Sequence, residues 1–391
     1  MTRVVVVGAS VAGVGVANEL RRCAHAGGIV LVDAQEHLPY DRPPLSKSVL
    51  LGEEADAGLP FHDAAHYAKL GVELVLGRAA VALDAAARTV TLADGTRLEG
   101  DAVVIASGAR ARRFPAGRAE GPVWTIRDLA DAHALRRHLR PGVRLAVVGG
   151  GFVGAEVAST ARKLGLQVTV FEAAPAPFLR ILGPVVAAEL AMLHAAAGVR
   201  LRCGVTVDRI SRHGNIQRLH LSDGTAAEAD LVVAGLGCLA NVEWLEGSGL
   251  AISNGVICDG FGRTGQEGIF AAGDVAAWFN TMADRHEPQE HWTVAREQAR
   301  IVAAVIAGTE ASRWEAFVPY FWSELHGKRI QVLGVTAAVE EVRFVYRDEA
   351  RGTFVAEYWH HGRLVGVAGC NAGARTMRYL AQLGSAPAEA A

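Results

Sequence analysis

The sequence predicts an α/β protein: two copies of a strand–turn–helix–strand unit with parallel strands, followed by a small C-terminal α+β domain. Three observations carry this. A valine run, Val4 to Val7, leads into a glycine-rich turn, a helical stretch to about Cys23 and a second apolar run, Ile29 to Val32. The same order returns at 144–172, where RLAVV precedes GGGFVGAE, a helix through Leu164, a glycine stop at Gly165 and QVTVFE. Beyond Pro319 the helical periodicity gives way to β-like runs.

The bulk numbers agree with several packed domains. A chain of 391 residues exceeds one ordinary core. Its 51% hydrophobic and 20% charged residues describe a globular interior rather than a disordered chain. With 39 basic and 41 acidic residues there is no reason to expect nucleic acid or an anionic membrane as partner. The charge is unevenly spread, however: segment 108–235 is net basic and the remainder net acidic, which bears on docking.

Each element follows in order. The apolar start, Val4 to Val16, is broken by Gly8, Ser10, Gly13 and Gly15, the spacing of a dinucleotide fingerprint rather than of a signal peptide. No stretch of about 18 apolar residues free of charge occurs. Each repeat then carries an apparent hairpin with a D-G turn and a buried strand ending in glycine, at 88–108 and 218–237. In the last segment KRIQVLGV, EEVRFVY and TFVAEYW read as strands, His361-Gly362 as a tight turn, and Ala372 to Leu383 as a closing helix. Five scattered cysteines without C-x-x-C spacing argue against a disulfide framework, zinc or iron–sulfur ligation, and suit a reducing cytoplasm.

The fingerprints point to nucleotides. Gly149, Gly151 and Gly154 complete G-x-G-x-x-G: the first allows the tight turn, the second lets pyrophosphate approach the backbone, the third packs helix on strand. Glu172 ends the next strand, placed to accept from the adenosine ribose; its charge disfavours a 2′-phosphate and so favours NADH, with Arg180 the one nearby cation that opposes this. In the first unit Gly8 and Gly13 flank Ser10, which replaces the middle glycine, and Asp33 takes the ribose position. The reading is therefore two Rossmann-like FAD/NAD(P)-binding domains: 1–107 with 236–318 for FAD, 108–235 for NADH, and 319–391 for the α+β domain.

Three further segments, YDRPPLSK at 40–47, GIFAAGDVA at 268–276 and PYFWSELHGKRIQVLG at 319–334, narrow this. With both fingerprints they resemble, from Arg3 to about Leu383, the FAD-dependent, NADH-linked ferredoxin reductases that feed bacterial cytochromes P450 and ring-hydroxylating dioxygenases. The resemblance implies that Asp274 holds the FAD ribityl chain and that Lys47 lies near flavin N5, where a cation favours the reduced ring. It implies that Glu156 faces the nicotinamide and pairs with Lys47. It places Ala12 at the FAD pyrophosphate, Ala80 beside the adenine through its backbone alone, and Arg42 and Arg127 in the FAD site. Trp292 and Trp322 would flank the isoalloxazine. Each has a plainer reading: a helix-capping aspartate, a solvated lysine, a first-turn glutamate, core tryptophans.

What is missing directs the chemistry. Residues 38–50 hold no cysteine, so neither a disulfide relay nor a peroxide-reducing thiol is expected. Electrons would pass singly from the flavin to an outside acceptor, an acidic 2Fe–2S ferredoxin, guided by Arg296, Arg300, Lys328 or Arg329. Rubredoxin reduction, slow NADH oxidation, and a flavin-bound NADH sensor or scaffold are the alternatives. No metal site is expected: His62 and His66 have a ligand-pair spacing without a third ligand and read as a plain helix surface, and His360-His361 as a hairpin end.

Overall fold

In a computed structural model the chain is described at residues 2–53, 58–280, 285–312, 314 and 317–384. Its first sheet has five parallel strands in the order Ile269–Ala271, Ala102–Ile105, Val4–Val7, Ile29–Val32, Val72–Val75. The three central strands are buried at every residue, and unbroken apolar sequence is what a parallel strand covered on both faces requires. Helix Val11–Arg22 packs against helix Trp292–Ala307, so closely at Gly15 that an added Cβ would meet Ala299 Cβ at 2.9 Å.

A second parallel sheet repeats the plan: Arg200–Cys203, Gln167–Glu172, Arg144–Val148, Leu231–Ala234, Val123–Trp124. Both expected hairpins form, turning at Gly95 and Gly224 with positive φ. The last segment is a five-stranded antiparallel sheet ordered Tyr320–Leu325, Lys328–Gly334, Arg363–Cys370, Thr353–His360, Glu341–Asp348. His361 (φ 48°) and Gly362 (φ 70°) make the anticipated two-residue turn. Three details differ from expectation, one being that Tyr320–Leu325, absent from the strands read in the sequence, pairs with Lys328–Gly334. The closing helix is two short ones, Gly373–Met377 and Tyr379–Gly384. Arg363–Cys370 is an additional, central strand; its glycines hide it from a propensity reading, but Gly366 and Gly369 are where the Val335 backbone and Thr376 press closest.

Packing across these sheets positions the site. Tyr40, Leu45, Val49, Leu50 and Leu59 belong to the core of the second sheet, together with Leu129, Leu145, Val157 and Leu231. Phe178, just before helix Leu179–Ala196, and Leu182, Val186 and Leu190 within it join the core of the antiparallel sheet. That helix, mean hydropathy 1.4, is by length and composition the only described one capable of crossing a membrane. It is interrupted at Gly183-Pro184, and its Glu189 is paired 2.7 Å from Arg347 of the antiparallel sheet. We propose the domain division 1–107 with 236–318, 108–235 and 319–391, supported by strands Ala109–Ala111 and Cys238–Ala240, which pair where the chain enters and leaves the middle unit.

Candidate cofactor-binding and redox site

The two glycine turns are sterically compelled. A Cβ on Gly8 (φ 112°) would lie 2.1 Å from Ala106 O, and one on Gly13 1.8 Å from Gly8 O. In the second unit Gly149 (φ 107°) would meet Gly235 O at 2.2 Å and Gly154 would meet Gly149 O at 2.3 Å. Gly151 differs: an added Cβ meets no protein atom within 4 Å, so its lack of a side chain serves whatever approaches from outside. Helices Val11–Arg22 and Phe152–Lys163 both start without a side-chain cap and without an acid in the first turn, leaving their N-terminal N–H groups and positive dipole ends to an anion. Two pyrophosphates fit this pair of turns.

Asp33 and Glu172 occupy matching places. Asp33 accepts from Ala9 N (2.7 Å) and Gln35 N (2.8 Å); Glu172 accepts from Gly150 N (2.6 Å) and Ala174 N (2.8 Å). Each carboxylate thus braces its own glycine turn from the end of the adjoining strand. Asp33 also lines a cleft with Ser10, Tyr40 and Arg42. Arg180 is exposed at the start of its helix, two residues past Phe178, whose N–H donates to Gly150 O. Ala80 opens strand Ala80–Asp84, half-buried against the first core.

Asp274 is not a helix cap, because strand Ala276–Asn280 follows it. It accepts from Arg127 Nη2 at 2.7 Å, while Arg127 Nε donates to Ala109 O and Arg42 Nη1 donates to Arg127 O. Gly273 (φ 79°) brings this segment against Ala12, where a Cβ would come within 2.9 Å, and its N–H donates to Gln298 Oε1. Burial lowers the Arg42 pKa, and the neighbouring Arg127 lowers it further. Burial acts the same way on Arg127, yet pairing with Asp274 outweighs it and leaves Arg127 raised. A phosphate beside Arg42 would relieve both penalties, so these residues fit a phosphate-bearing cofactor.

Lys47 and Glu156, 109 positions apart in sequence, form an ion pair of 2.7 Å. The lysine lies on a π-helical turn, Leu45–Val49, in which Val49 N donates to Pro44 O. Glu156 is 7% exposed, and Ser46 Oγ (2.5 Å) and Ser323 Oγ (2.6 Å) also donate to it. Thr160 Oγ1 donates to Ser46 O, fixing the turn on the same helix. Lys47 is therefore no freely solvated lysine, and Glu156 no exposed first-turn glutamate. Ser46 and Ser323 escaped sequence reasoning because nothing local marks a serine as a carboxylate donor.

Trp292 and Trp322 meet edge to face, centroids 6.0 Å apart, both half-buried, and Trp292 Nε1 donates to Asp41 Oδ1. Beside them His291 stacks on Phe321 at 4.4 Å, and burial pushes its pKa down to about 4. Sequence reading also missed Cys238, which lies among Glu290, Arg127 and Asp274. Burial first, then Glu290, pushes this thiol well above its ordinary range, so it stays protonated and is a poor electron relay. All five cysteines are free.

Of the proposed docking cations, Arg296 is exposed and lies over the Trp292 ring at 5.6 Å. Arg300 is engaged by Glu297, and Lys328 Nζ donates to Arg351 O. Lys328 and Arg329 lie at the turn end of the Tyr320–Leu325 hairpin, whereas Trp322 pairs with Gln331 farther along. His62 is not on a helix surface: it precedes Asp63, the N-cap of Ala64–Lys69, and stacks on His66 at 3.7 Å.

Comparison with known proteins matches this arrangement. Residues 2–299 match the pyridine nucleotide-disulphide oxidoreductase family and residues 320–390 the reductase C-terminal domain. The ferredoxin–NAD(+) reductase component of the anthranilate 1,2-dioxygenase system of Burkholderia cepacia is 38% identical over 94% of this chain and 91% of that protein. Rubredoxin–NAD(+) reductase of Pseudomonas putida is 35% identical over 88% of this chain and 90% of that protein. The fold superposes on putidaredoxin reductase in its covalent putidaredoxin complex with a TM-score of 0.92, at 31% identity, covering 98% of this chain and 93% of that one. The chain belongs to the pyridine nucleotide-disulphide oxidoreductase family, in the branch with a reductase C-terminal domain, and is an FAD- and NAD(H)-binding oxidoreductase.

Proposed function

We propose that the protein is an NADH-dependent ferredoxin reductase that passes single electrons to an acidic 2Fe–2S ferredoxin serving a cytochrome P450 or ring-hydroxylating dioxygenase, in a reducing cytoplasm. The observation that carries the reading is the ion pair between half-buried Lys47 and buried Glu156, in a chain with two dinucleotide turns and no cysteine in residues 38–50. Bound FAD would supply two-electron acceptance from NADH and one-electron release to the acceptor. The chain's own residues have narrower tasks. Gly8, Ser10, Ala12 and Gly13 with Arg42 and Arg127 hold the FAD phosphates, Asp33 and Ala80 its adenosine end, and Asp274 its ribityl chain. Gly149, Gly151 and Gly154 hold the NADH pyrophosphate, Glu172 its ribose, and Arg180 the cleft edge. Lys47 supplies positive charge that favours the reduced ring, and Glu156 fixes that ammonium while facing the nicotinamide. Trp292 and Trp322 cover the ring from the rim, and Arg296 offers charge for docking.

The test is NADH-driven cytochrome c reduction with and without a 2Fe–2S ferredoxin. Strong stimulation is expected, and none would remove ferredoxin as acceptor. The Pseudomonas putida relative favours rubredoxin as a second reading, distinguished by adding rubredoxin instead. NADH binding without turnover on any acceptor would support a sensor.

A further inference from the structure

The opposite edge of the antiparallel sheet from Trp322 carries a second cluster of chemistry. The strand Thr353–His360 ends at His360, and the left-handed φ of 48° at His361 turns the next imidazole to the same side. Glu340, just before strand Glu341–Asp348, is tied there by its own N–H to Trp359 O at 3.2 Å. Its Oε2 accepts from His361 N at 2.9 Å. Its Oε1 lies 3.0 Å from His361 Nδ1 and 4.0 Å from His360 Nδ1. The three ligand atoms all fall within 4.8 Å of one another. His360 Nδ1 is buried and has no hydrogen-bond partner, an orphaned nitrogen in a protein that satisfies most such atoms.

We propose that Glu340, His360 and His361 bind a divalent transition-metal ion of the zinc class, with water completing the coordination. Zinc–nitrogen and zinc–oxygen bonds of about 2.0–2.2 Å place ligand atoms of a tetrahedral site roughly 3.3–3.6 Å apart. The carboxylate–imidazole separations of 3.0 and 4.0 Å bracket that value, and with every pair of ligand atoms within 4.8 Å, side-chain rotation draws the three onto one ion. Two imidazoles and one carboxylate select zinc, nickel, cobalt or copper over magnesium and calcium, which take oxygen ligands. Binding gives the orphaned nitrogen a partner. It also ties residue 340 to the 360–361 turn, clamping the exposed edge strand Glu341–Asp348 to its neighbour. Sequence spacing could not reveal the set, because Glu340 reaches the histidines only through strand pairing.

The experiment is calorimetric titration of the FAD-loaded protein with zinc chloride, and with magnesium chloride as contrast. One zinc per chain is expected, with no magnesium binding. Glu340→Gln and His361→Ala should each weaken zinc by about tenfold or more while leaving NADH-driven cytochrome c reduction unchanged. His360→Gln should do the same, and His62→Gln should not. Unaltered zinc affinity in the first three variants, loss in His62→Gln instead, or no stoichiometric zinc binding by the parent would each overturn the assignment. A raised thermal midpoint with zinc, absent in those three variants, would support it.

Discussion

Replacing Lys47 with methionine removes the cation 2.7 Å from Glu156 Oε2 while keeping most of the side-chain volume. The carboxylate left behind is 7% exposed and retains only the Ser46 and Ser323 hydroxyls. Taking one partner from a buried pair costs about 3–5 kcal/mol. The lysine side chain is 21% exposed and two donors remain, so the loss belongs at the lower end, about 3 kcal/mol. At about 2 °C per kcal/mol for a large domain, the thermal midpoint should fall by about 6 °C. Flavin fluorescence of the FAD-loaded protein during heating reads this directly. Glu156→Gln in the Lys47→Met background neutralises the stranded charge; its amide oxygen accepts from one serine hydroxyl and its NH2 donates to the other. The double variant should recover about 2 kcal/mol, a coupling that a double-mutant cycle isolates. The rate of flavin bleaching by NADH in stopped flow should fall about 100-fold in Lys47→Met and stay low in the double variant, because the positive charge is gone from both. A stability loss below about 1 kcal/mol, or a double variant as destabilised as the sum of the singles, would refute a coupled buried pair.

Gly151→Ala should fold and bind FAD normally, since its Cβ meets no protein atom within 4 Å and the φ of −76° suits alanine, yet raise the NADH Kd at least about tenfold. Unchanged NADH affinity by equilibrium titration would contradict a pyrophosphate at that spot. Glu172→Ala should weaken NADH by about 1.5–3 kcal/mol, roughly 10- to 100-fold, and NADPH far less. Equal losses would refute the ribose role; Glu172→Gln keeps one acceptor oxygen for Gly150 N or Ala174 N but not both, so it disturbs the loop bracing as well. His194 is 1% exposed, its Nδ1 2.9 Å from His326 Nε2, and burial, then His326, holds its pKa down to about 4. Between about pH 6.5 and 4 the unfolded chain takes up this proton and the folded one does not, so stability declines as the pH falls through that window, by about 3 kcal/mol for this residue. Denaturant titrations across that range should show the slope, and His194→Gln should flatten it, with His291 leaving a residual; an unchanged slope would place the titrating group elsewhere.

The dinucleotide turns were legible because the glycine spacing is local: Gly13 and Gly154 are forbidden a side chain by the carbonyls of Gly8 and Gly149 five residues earlier, whereas Gly8 and Gly149 meet the distant Ala106 O and Gly235 O. The hairpins and the His361-Gly362 turn were legible for the same reason, since turn type depends on neighbouring residues. Strand Arg363–Cys370 was not, because its burial comes from neighbours on both sides rather than from its own glycine-containing pattern. Cys238 and Ser323 gave no signal either, as their partners Glu290 and Glu156 lie far along the chain.

The order of apolar runs and glycines in this chain determined two parallel nucleotide-binding sheets and a third β-rich unit, since strand burial and turn conformation are written in contiguous residues. Tertiary structure alone decided that Tyr40, Leu45, Val49, Leu50 and Leu59 join the core of the second sheet. That packing brings Lys47 to Glu156, and with Ser323 of the last sheet it closes a charge inside protein. It likewise decided that Glu340 would find His360 and His361. Such meetings depend on how whole sheets pack, and the burial that drives packing is non-directional, so no local pattern announces them.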